Sequence, residues 1–219
     1  MLADRFAEAF HSVDTTALCD ADKSLRVMDS AIRPRSAATR ILGPAFTVRC
    51  QDDFFGVLQA IEAAAPGDVL VVDGGSSEIA LGGELFARGA LVRGLGGIIV
   101  DAGYRDIGYV RDCELPVYSR FITPMSGSTT ELGELQVRVT CGGVPVSPGD
   151  LVLADVEGIV VVDPAEIESL FAAAASIKQA EARVIAKLDA GATLSDCVNI
   201  DAHAEALRDE ADSALTFLV

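Results

Sequence analysis

PGDVLVVDGGSSEIALGGELFARGALVRGLGGIIVD, residues 66–101, carries two apolar runs separated by a helix-forming segment. Pro66-Gly67-Asp68 is a turn signal. Val69-Leu70-Val71-Val72-Asp73 after it is a β-branched run of the kind buried on both faces of a sheet. Gly74 to Ser77 reads as a turn that leads to a helix around Gly83 to Arg93, with Gly94 placed just past its C-terminus. Gly97-Ile98-Ile99-Val100-Asp101 is a second buried strand. Strand, helix and strand joined by short loops form a right-handed βαβ unit, so the chain belongs to the α/β class.

Upstream, residues 53–64 form an amphipathic, Ala-rich helix, and Gly43-Pro44-Ala45 leads into a β-like run at 46–50. Residues 3–13 and 15–22 read as short helices, the second after the capping-like Asp14-Thr15-Thr16. Downstream, short strands are expected at 116–118, 135–140, 151–153 and 159–162, punctuated by turns at 141–143, 148–150 and 157–158. Pro148-Gly149-Asp150 echoes Pro66-Gly67-Asp68, which we read as one turn type used twice. No linker or low-complexity stretch divides the chain, so residues 1–219 are expected to form one domain with helical extensions at both ends. The last long helix is expected over 164–190, with Asp163 as N-cap, Pro164 at N1 and Glu166 closing a capping box. At 1.5 Å per residue it would be roughly 40 Å long, so its far end should project and pack on a neighbouring subunit. Residues 192–219 read as a tail. The helix's apolar stripe runs through Ile167, Leu170, Phe171, Ala174, Ile177, Val184, Ile185 and Leu188, and Glu181 occupies the gap in it. An ionised Glu is rarely buried without a partner or metal; the alternative is a subunit contact in which Glu181 reaches to the rim.

Composition removes whole classes of function. Half the residues are hydrophobic, which excludes global disorder. A net charge of −16 without a basic run argues against a nucleic-acid surface. No apolar stretch approaches the roughly 20 residues of a membrane span, and Met1-Leu2-Ala3-Asp4-Arg5 is unlike a signal peptide. The five scattered cysteines read as reduced thiols of a cytoplasmic protein, without metal-ligand spacing. The histidines, His11 and His203, sit far from any strand-end nucleophile in sequence. Lys23, Lys178 and Lys187 are the only lysines, none on a buried strand, which disfavours imine chemistry.

Chemistry is therefore sought among carboxylates. Arg105 and Asp106 follow the second buried strand, and ligands of α/β sheets gather at the carboxyl ends of strands. Asp106 could instead only N-cap a short helix, with Arg105 in a surface pair. Gly82-Gly83-Glu84-Leu85 opens the preceding helix, whose N-terminal amides offer an anion site; a flexible Gly-Gly hinge is the alternative. Neither GxGxxG nor GxxxxGK[ST] is present.

Glu84, twenty intervening residues and then Arg105-Asp106 resembles the signature of the class II 4-hydroxy-4-methyl-2-oxoglutarate / 4-carboxy-4-hydroxy-2-oxoadipate aldolases. These are homologous to the regulator of ribonuclease activity A, which gives the RraA-like family its name. Gly43-Pro44-Ala45, Pro66–Asp73, Gly83-Glu84-Leu85, Leu115-Pro116-Val117 and Pro148–Val152 extend the resemblance over most of residues 15–190. It implies a three-layer β/β/α swivelling-domain fold, assembled as trimers or hexamers with the active site between subunits. It implies that Asp106 binds a divalent metal, Mg²⁺ or Mn²⁺, that Arg105 contacts the substrate, and that Glu84 lies beside the metal's water shell. Backbone amides of Gly83, Glu84, Leu85 and Phe86 would hold the pyruvate-end carboxylate. Glu181 matches an acidic residue that reaches the metal, through water, from the adjacent subunit. Tyr109 departs from the family pattern, which often has an acid there. The implied activity is metal-dependent cleavage of a 4-hydroxy-2-oxo acid to pyruvate through a metal-stabilised enolate, with oxaloacetate decarboxylation as a related reaction. The alternatives are a non-catalytic protein-binding regulator of a ribonuclease and, given Tyr109, a lyase on another 2-oxo acid. A carboxylate-and-water ligand set agrees with a hard cation.

Overall fold

The computed structural model describes residue 6 and residues 9–218; of the expected helix at 3–13, residues 9–12 are helical and most of the rest lies outside the described residues. The strands are β1 (Arg26–Val27), β2 (Arg33–Pro34), β3 (Ile41–Arg49), β4 (Val69–Ala80), β5 (Gly97–Tyr104), β6 (Val117–Ile122), β7 (Glu134–Leu135), β8 (Val139–Cys141), β9 (Val144–Val146), β10 (Leu151–Ala154) and β11 (Ile159–Val162). The helices are α1 (Thr15–Ala21), α2 (Phe55–Ala63), α3 (Glu84–Val92), α4 (Ile107–Val110), α5 (Ile167–Asp189) and α6 (Ile200–Arg208).

β3, β4, β5 and β6 are successive parallel neighbours joined by α2, α3 and α4. They form the centre of a sheet ordered β1-β11-β10-β3-β4-β5-β6-β2, with β7 added on β3. Strand periodicity sorts the side chains between its two faces. Leu70, Val72, Ile98 and Val100 pack under Val57, Ala60 and Ile61 of α2 and Phe86, Ala87 and Ala90 of α3. Val69, Val71 and Ile99 face the other way, against Val139, Cys141 and Val146 of the β8–β9 hairpin. Val69 to Val72 are all fully buried, and each such side chain is worth about 1.5–3 kcal/mol relative to exposure. The layers are thus helices, sheet and hairpin, as the β/β/α expectation requires. A further core unites Leu151, Leu153, Val160 and Val162 with Leu18 of α1 and Leu170 and Phe171 of α5.

Both Pro-Gly-Asp turns have the same construction. Gly67 and Gly149 adopt φ of 87° and 83°, a region open to glycine. Asp68 and Asp150 each accept from the backbone N–H three residues earlier, of Ala65 and Ser147, at 2.9 Å.

Several expectations need correction, among them the strand expected at 135–140, which is β7 and β8 with residues 136–138 between them. The segment 74–77 is not a turn but a bulged continuation of β4: φ is 65° at Gly75 and 57° at Ser76, the register slips between Val72 and Ser77, and pairing resumes at Ser77 with Ala102. A bulge keeps a ladder going around residues that look like a loop. β5 correspondingly runs on to Tyr104 rather than ending at Asp101. α5 begins at Ile167 rather than residue 164, because the Asp163 carboxylate accepts from Ala165 N–H at 2.8 Å and closes a local turn instead of a capping box. Its 23 residues span about 34 Å. Within the C-terminal tail, a capping box between Thr193 and Asp196 nucleates a short 3₁₀ turn, α6 follows, and Val198 bridges to Phe217. Lys187 Nζ then donates to Leu218 O at 2.7 Å, tying the segment to the end of α5. No helix among the described residues is long and apolar enough to cross a membrane.

Candidate functional site

The site begins at the carboxyl end of β5. Tyr104, the last strand residue, is fully buried, and its hydroxyl donates to Gly83 O at 3.1 Å. Arg105 N–H donates to Gly82 O at 3.1 Å. A Cβ on Gly82 would stand 2.4 Å from the Tyr104 ring, and one on Gly83 would stand 2.4 Å from Asp106 Oδ2. The glycine pair is therefore a close-approach surface rather than a hinge. It seats the N-terminus of α3 directly on the end of β5.

Asp106 occupies the left-handed region, with φ 57° and ψ 38°, a conformation that costs a non-glycine residue roughly 1 kcal/mol or more. It is the N-cap residue of α4, but its side chain makes no capping bond there; Oδ2 instead accepts from Glu84 N–H at 3.1 Å. The carboxylate thus caps α3, across the site, where the helix dipole favours an anion. Oδ1 has no hydrogen-bond partner among the described residues. Arg105 Nε lies 3.7 Å from Asp106 Oδ2, with both side chains about two-fifths exposed. Ala87 N–H is the first to bond back within α3, to Gly83 O, so Leu85 and Phe86 supply unsatisfied first-turn amides. Glu84 N–H is already engaged by Asp106. Of the two side chains, Leu85 is exposed and Phe86 is buried.

A cavity of about 340 Å³ opens beside Arg105 and Asp106, walled by Ile107, Ile122, Thr123 and Pro124. Sequence reading did not single out that wall. Two devices anchor the chain that follows it. Ala80 N–H donates to Met125 O at 2.8 Å. The buried Asp53 accepts from Ser128 Oγ at 2.7 Å and from the amides of Thr130 and Glu131 at 2.6 and 3.1 Å. Asp53 falls inside the helix expected over 53–64, which begins only at Phe55.

Glu84 turns its carboxylate to Arg88, whose Nε donates to Oε1 at 2.8 Å. The Arg88 guanidinium in turn lies 4.0 Å over the Tyr109 ring, a cation–π contact. Burial pushes the Tyr109 hydroxyl's pKa up, helped by Cys113. Glu181 is not brought to this cavity by its own chain; it pairs with Lys178 at 3.2 Å, and Lys178 also holds Asp14 at 2.9 Å.

Among the described residues, no three His, Cys, Asp or Glu side chains converge as a metal cage. Asp106, with an open oxygen beside a cavity, fits a hard cation that keeps most of its waters, as Mg²⁺ does; it does not fit zinc's closed tetrahedron. The lysines are all elsewhere: Lys23 pairs with Asp20, Lys178 with Asp14 and Glu181, and Lys187 caps Leu218 O. His203 contacts Ser213 on the C-terminal segment, and neither histidine lines the cavity.

Residues 15–161 match the model of the family described as RraA-like, Aldolase/RraA. A provisionally named 4-hydroxy-4-methyl-2-oxoglutarate aldolase of Halalkalibacterium halodurans is 34% identical over 167 residues, covering 75% of this chain and 80% of that protein. The solved structure of the RNA-processing inhibitor RraA from Thermus thermophilis superposes with a TM-score of 0.64 at 30% identity, covering 68% of this chain and 92% of that one. Streptomyces coelicolor RraAS2, described as an unusual member of the RNase ES inhibitor RraA protein family, gives a TM-score of 0.74 at 27% identity over 84% of this chain and 98% of its own.

Proposed function

Because the chain belongs to the RraA-like family, we propose that it is a divalent-metal-dependent aldolase that cleaves a 4-hydroxy-2-oxo dicarboxylic acid, of the 4-hydroxy-4-methyl-2-oxoglutarate type, to release pyruvate. The observation that carries this reading is the joining of Arg105 and Asp106 to the glycine-seated N-terminus of α3 at the edge of one cavity. In this reading Asp106 holds Mg²⁺ or Mn²⁺ through its free oxygen, with Glu84 and the adjacent subunit's copy of Glu181 reaching the ion's waters. Bound there, the cation would polarise the 2-oxo group and offset the charge that develops on it. Arg105 presents a planar fork to the 2-oxo acid's carboxylate or keto oxygen. The Leu85 and Phe86 amides take the remaining carboxylate charge at the helix N-terminus. The proton of the 4-hydroxyl passes to a carboxylate-held water. Oxaloacetate decarboxylation would use the same groups, since it too leaves charge on the 2-oxo oxygen.

The site between subunits makes a trimer or hexamer the active form. A protein-binding regulator is the second reading, favoured by the likeness to the two RraA structures. The deciding experiment follows pyruvate release from a panel of 4-hydroxy-2-oxo acids and oxaloacetate after EDTA treatment, with and without Mg²⁺ or Mn²⁺. Metal-dependent pyruvate release from a dicarboxylic substrate supports the aldolase. No release from any substrate with either metal overturns it.

A further inference from the structure

A second cavity, of about 400 Å³, lies at the β2 edge of the sheet and shares no residue with the one beside Arg105. Arg33 and Arg35 both line it. Arg35 is half-buried and held rigidly: Nε donates to Ser119 Oγ at 2.7 Å, and Nη2 donates to the carbonyls of Ser119 and Arg120 at 2.7 and 3.0 Å. Arg33 Nε donates to Ser30 O at 3.1 Å. These bonds leave Nη1 of Arg35 and both Nη atoms of Arg33 without a partner among the described residues. No carboxylate lies within ion-pair distance of either arginine among those residues, although the chain carries 33 acidic residues against 17 basic ones. Arg26, Arg49, Arg88, Arg105 and Arg120 all have one. Burial, and then the neighbouring charge of Arg33, push the Arg35 pKa down. Two like charges thus share one cavity wall, Arg33 exposed and Arg35 partly desolvated, with no ion-pair partner among the described residues, an arrangement that an anion would stabilise. Ile32, Pro34 and Val156 supply an apolar wall, and Glu157 is the one acid on the lining.

We propose that this cavity is a second ligand site, which takes a small organic anion with its carboxylate or phosphate between Arg33 and Arg35 and its apolar body on Ile32, Pro34 and Val156. A guanidinium pair with fixed forks suits such an oxyanion, and the volume suits a small metabolite. Glu157 tempers the affinity by like-charge repulsion. The site stands independently of the reading of the Arg105 cavity.

The test is isothermal titration at constant ionic strength with succinate and with inorganic phosphate as separate probes. Saturable binding of at least one probe is expected in the wild type and in Arg105→Ala, which removes the other site's anion contact. Arg33→Gln should weaken that binding at least tenfold. Arg35→Lys should do the same while keeping the charge that holds the β6 carbonyls. Glu157→Gln should tighten it severalfold, a gain that misfolding cannot mimic. The preferred probe tells a carboxylate ligand from a phosphate one. Absence of saturable binding of both probes to the folded wild type overturns the proposal, as does binding that survives Arg33→Gln but is lost in Arg105→Ala.

Discussion

At the scale of single residues, the two adjacent glycines of the site should fail in different ways. A methyl on Gly82 meets the ring of the fully buried Tyr104 at 2.4 Å, and overpacking of that kind costs about 1–3 kcal/mol. A methyl on Gly83 meets the Asp106 carboxylate at 2.4 Å, and that side chain is two-fifths exposed and free to swing aside. Gly82→Ala should therefore lower Tm by several degrees. Gly83→Ala should keep a near-native Tm but lose tenfold or more in kcat/KM, because the Asp106 to Glu84 N–H bond that orients the carboxylate is broken. Thermal denaturation and pyruvate-release kinetics on both variants check the contrast. Arg105 and Asp106 should separate as well. Raised Mg²⁺ should partly rescue Asp106→Asn, whose defect is metal affinity, and should not rescue Arg105→Ala. Identical metal dependence in the two variants would show the roles to be wrongly divided. The Arg105-Asp106 pair was legible in the sequence because two charged residues ended an apolar strand. The partner of the Asp106 carboxylate was not, since Glu84 N–H lies 22 residues away and has no side-chain signature.

At the scale of elements, the loop that follows the cavity wall, at residues 128–131, is anchored by Asp53. Desolvation raises the Asp53 pKa, but hydrogen bonds from Phe55, Ser128, Thr130 and Glu131 outweigh it and hold the value at about 2, below the usual aspartate range. A folded-state pKa below the unfolded one means stabilisation that is complete above the unfolded value and lost as pH falls toward the folded one. Asp14, which caps α1 and pairs with Lys178, is likewise held at about 2. Stability should accordingly drop between about pH 4 and pH 2, and Asp53→Asn should be less stable at neutral pH yet lose less across that window. Urea denaturation midpoints at several pH values decide this. α5 carries the second element-scale prediction. Beyond Ala174 only Val184 of its stripe is buried, while Ile185 is 56% exposed. The sequence pattern of the stripe was readable; which part of it meets this chain's own core was not. If Glu181 serves a neighbour's metal, Glu181→Gln should leave assembly unchanged by light scattering while activity falls. Mixing Asp106→Asn with Glu181→Gln subunits should then restore activity at interfaces that carry both wild-type residues. No recovery after verified exchange would assign Glu181 to its own chain.

At the scale of the whole molecule, the placement of the lysines gives the proposed metal mechanism a direct test. All three lysines are committed to surface contacts, so borohydride with substrate should neither trap an adduct nor inactivate the enzyme. EDTA should abolish pyruvate release, and Mg²⁺ or Mn²⁺ should restore it. A covalent lysine adduct detected by mass spectrometry would overturn the metal mechanism. The net charge of −16 is no obstacle to an anionic substrate, because screening over roughly 8 Å at physiological salt leaves the local cations to set the field at the site.

The central strands of the sheet were readable from local sequence alone. Val69–Val72 and Ile98–Val100 are continuous apolar runs, and an apolar run between turn signals has few places to go other than a strand covered on both faces. Local sequence also determined the paired Pro-Gly-Asp turns, because glycine at positive φ and a side chain that bonds three residues back are local properties. Only the tertiary structure decided that Gly74–Ser77 is a bulge, since a bulge is defined by the strand beside it. It alone joined Asp106 to α3, set Thr123-Pro124 beside the cavity and tied Asp53 to the chain at residues 128–131. Those contacts are long-range, and the free energy that fixes them comes from sheet packing that no local stretch of the chain contains.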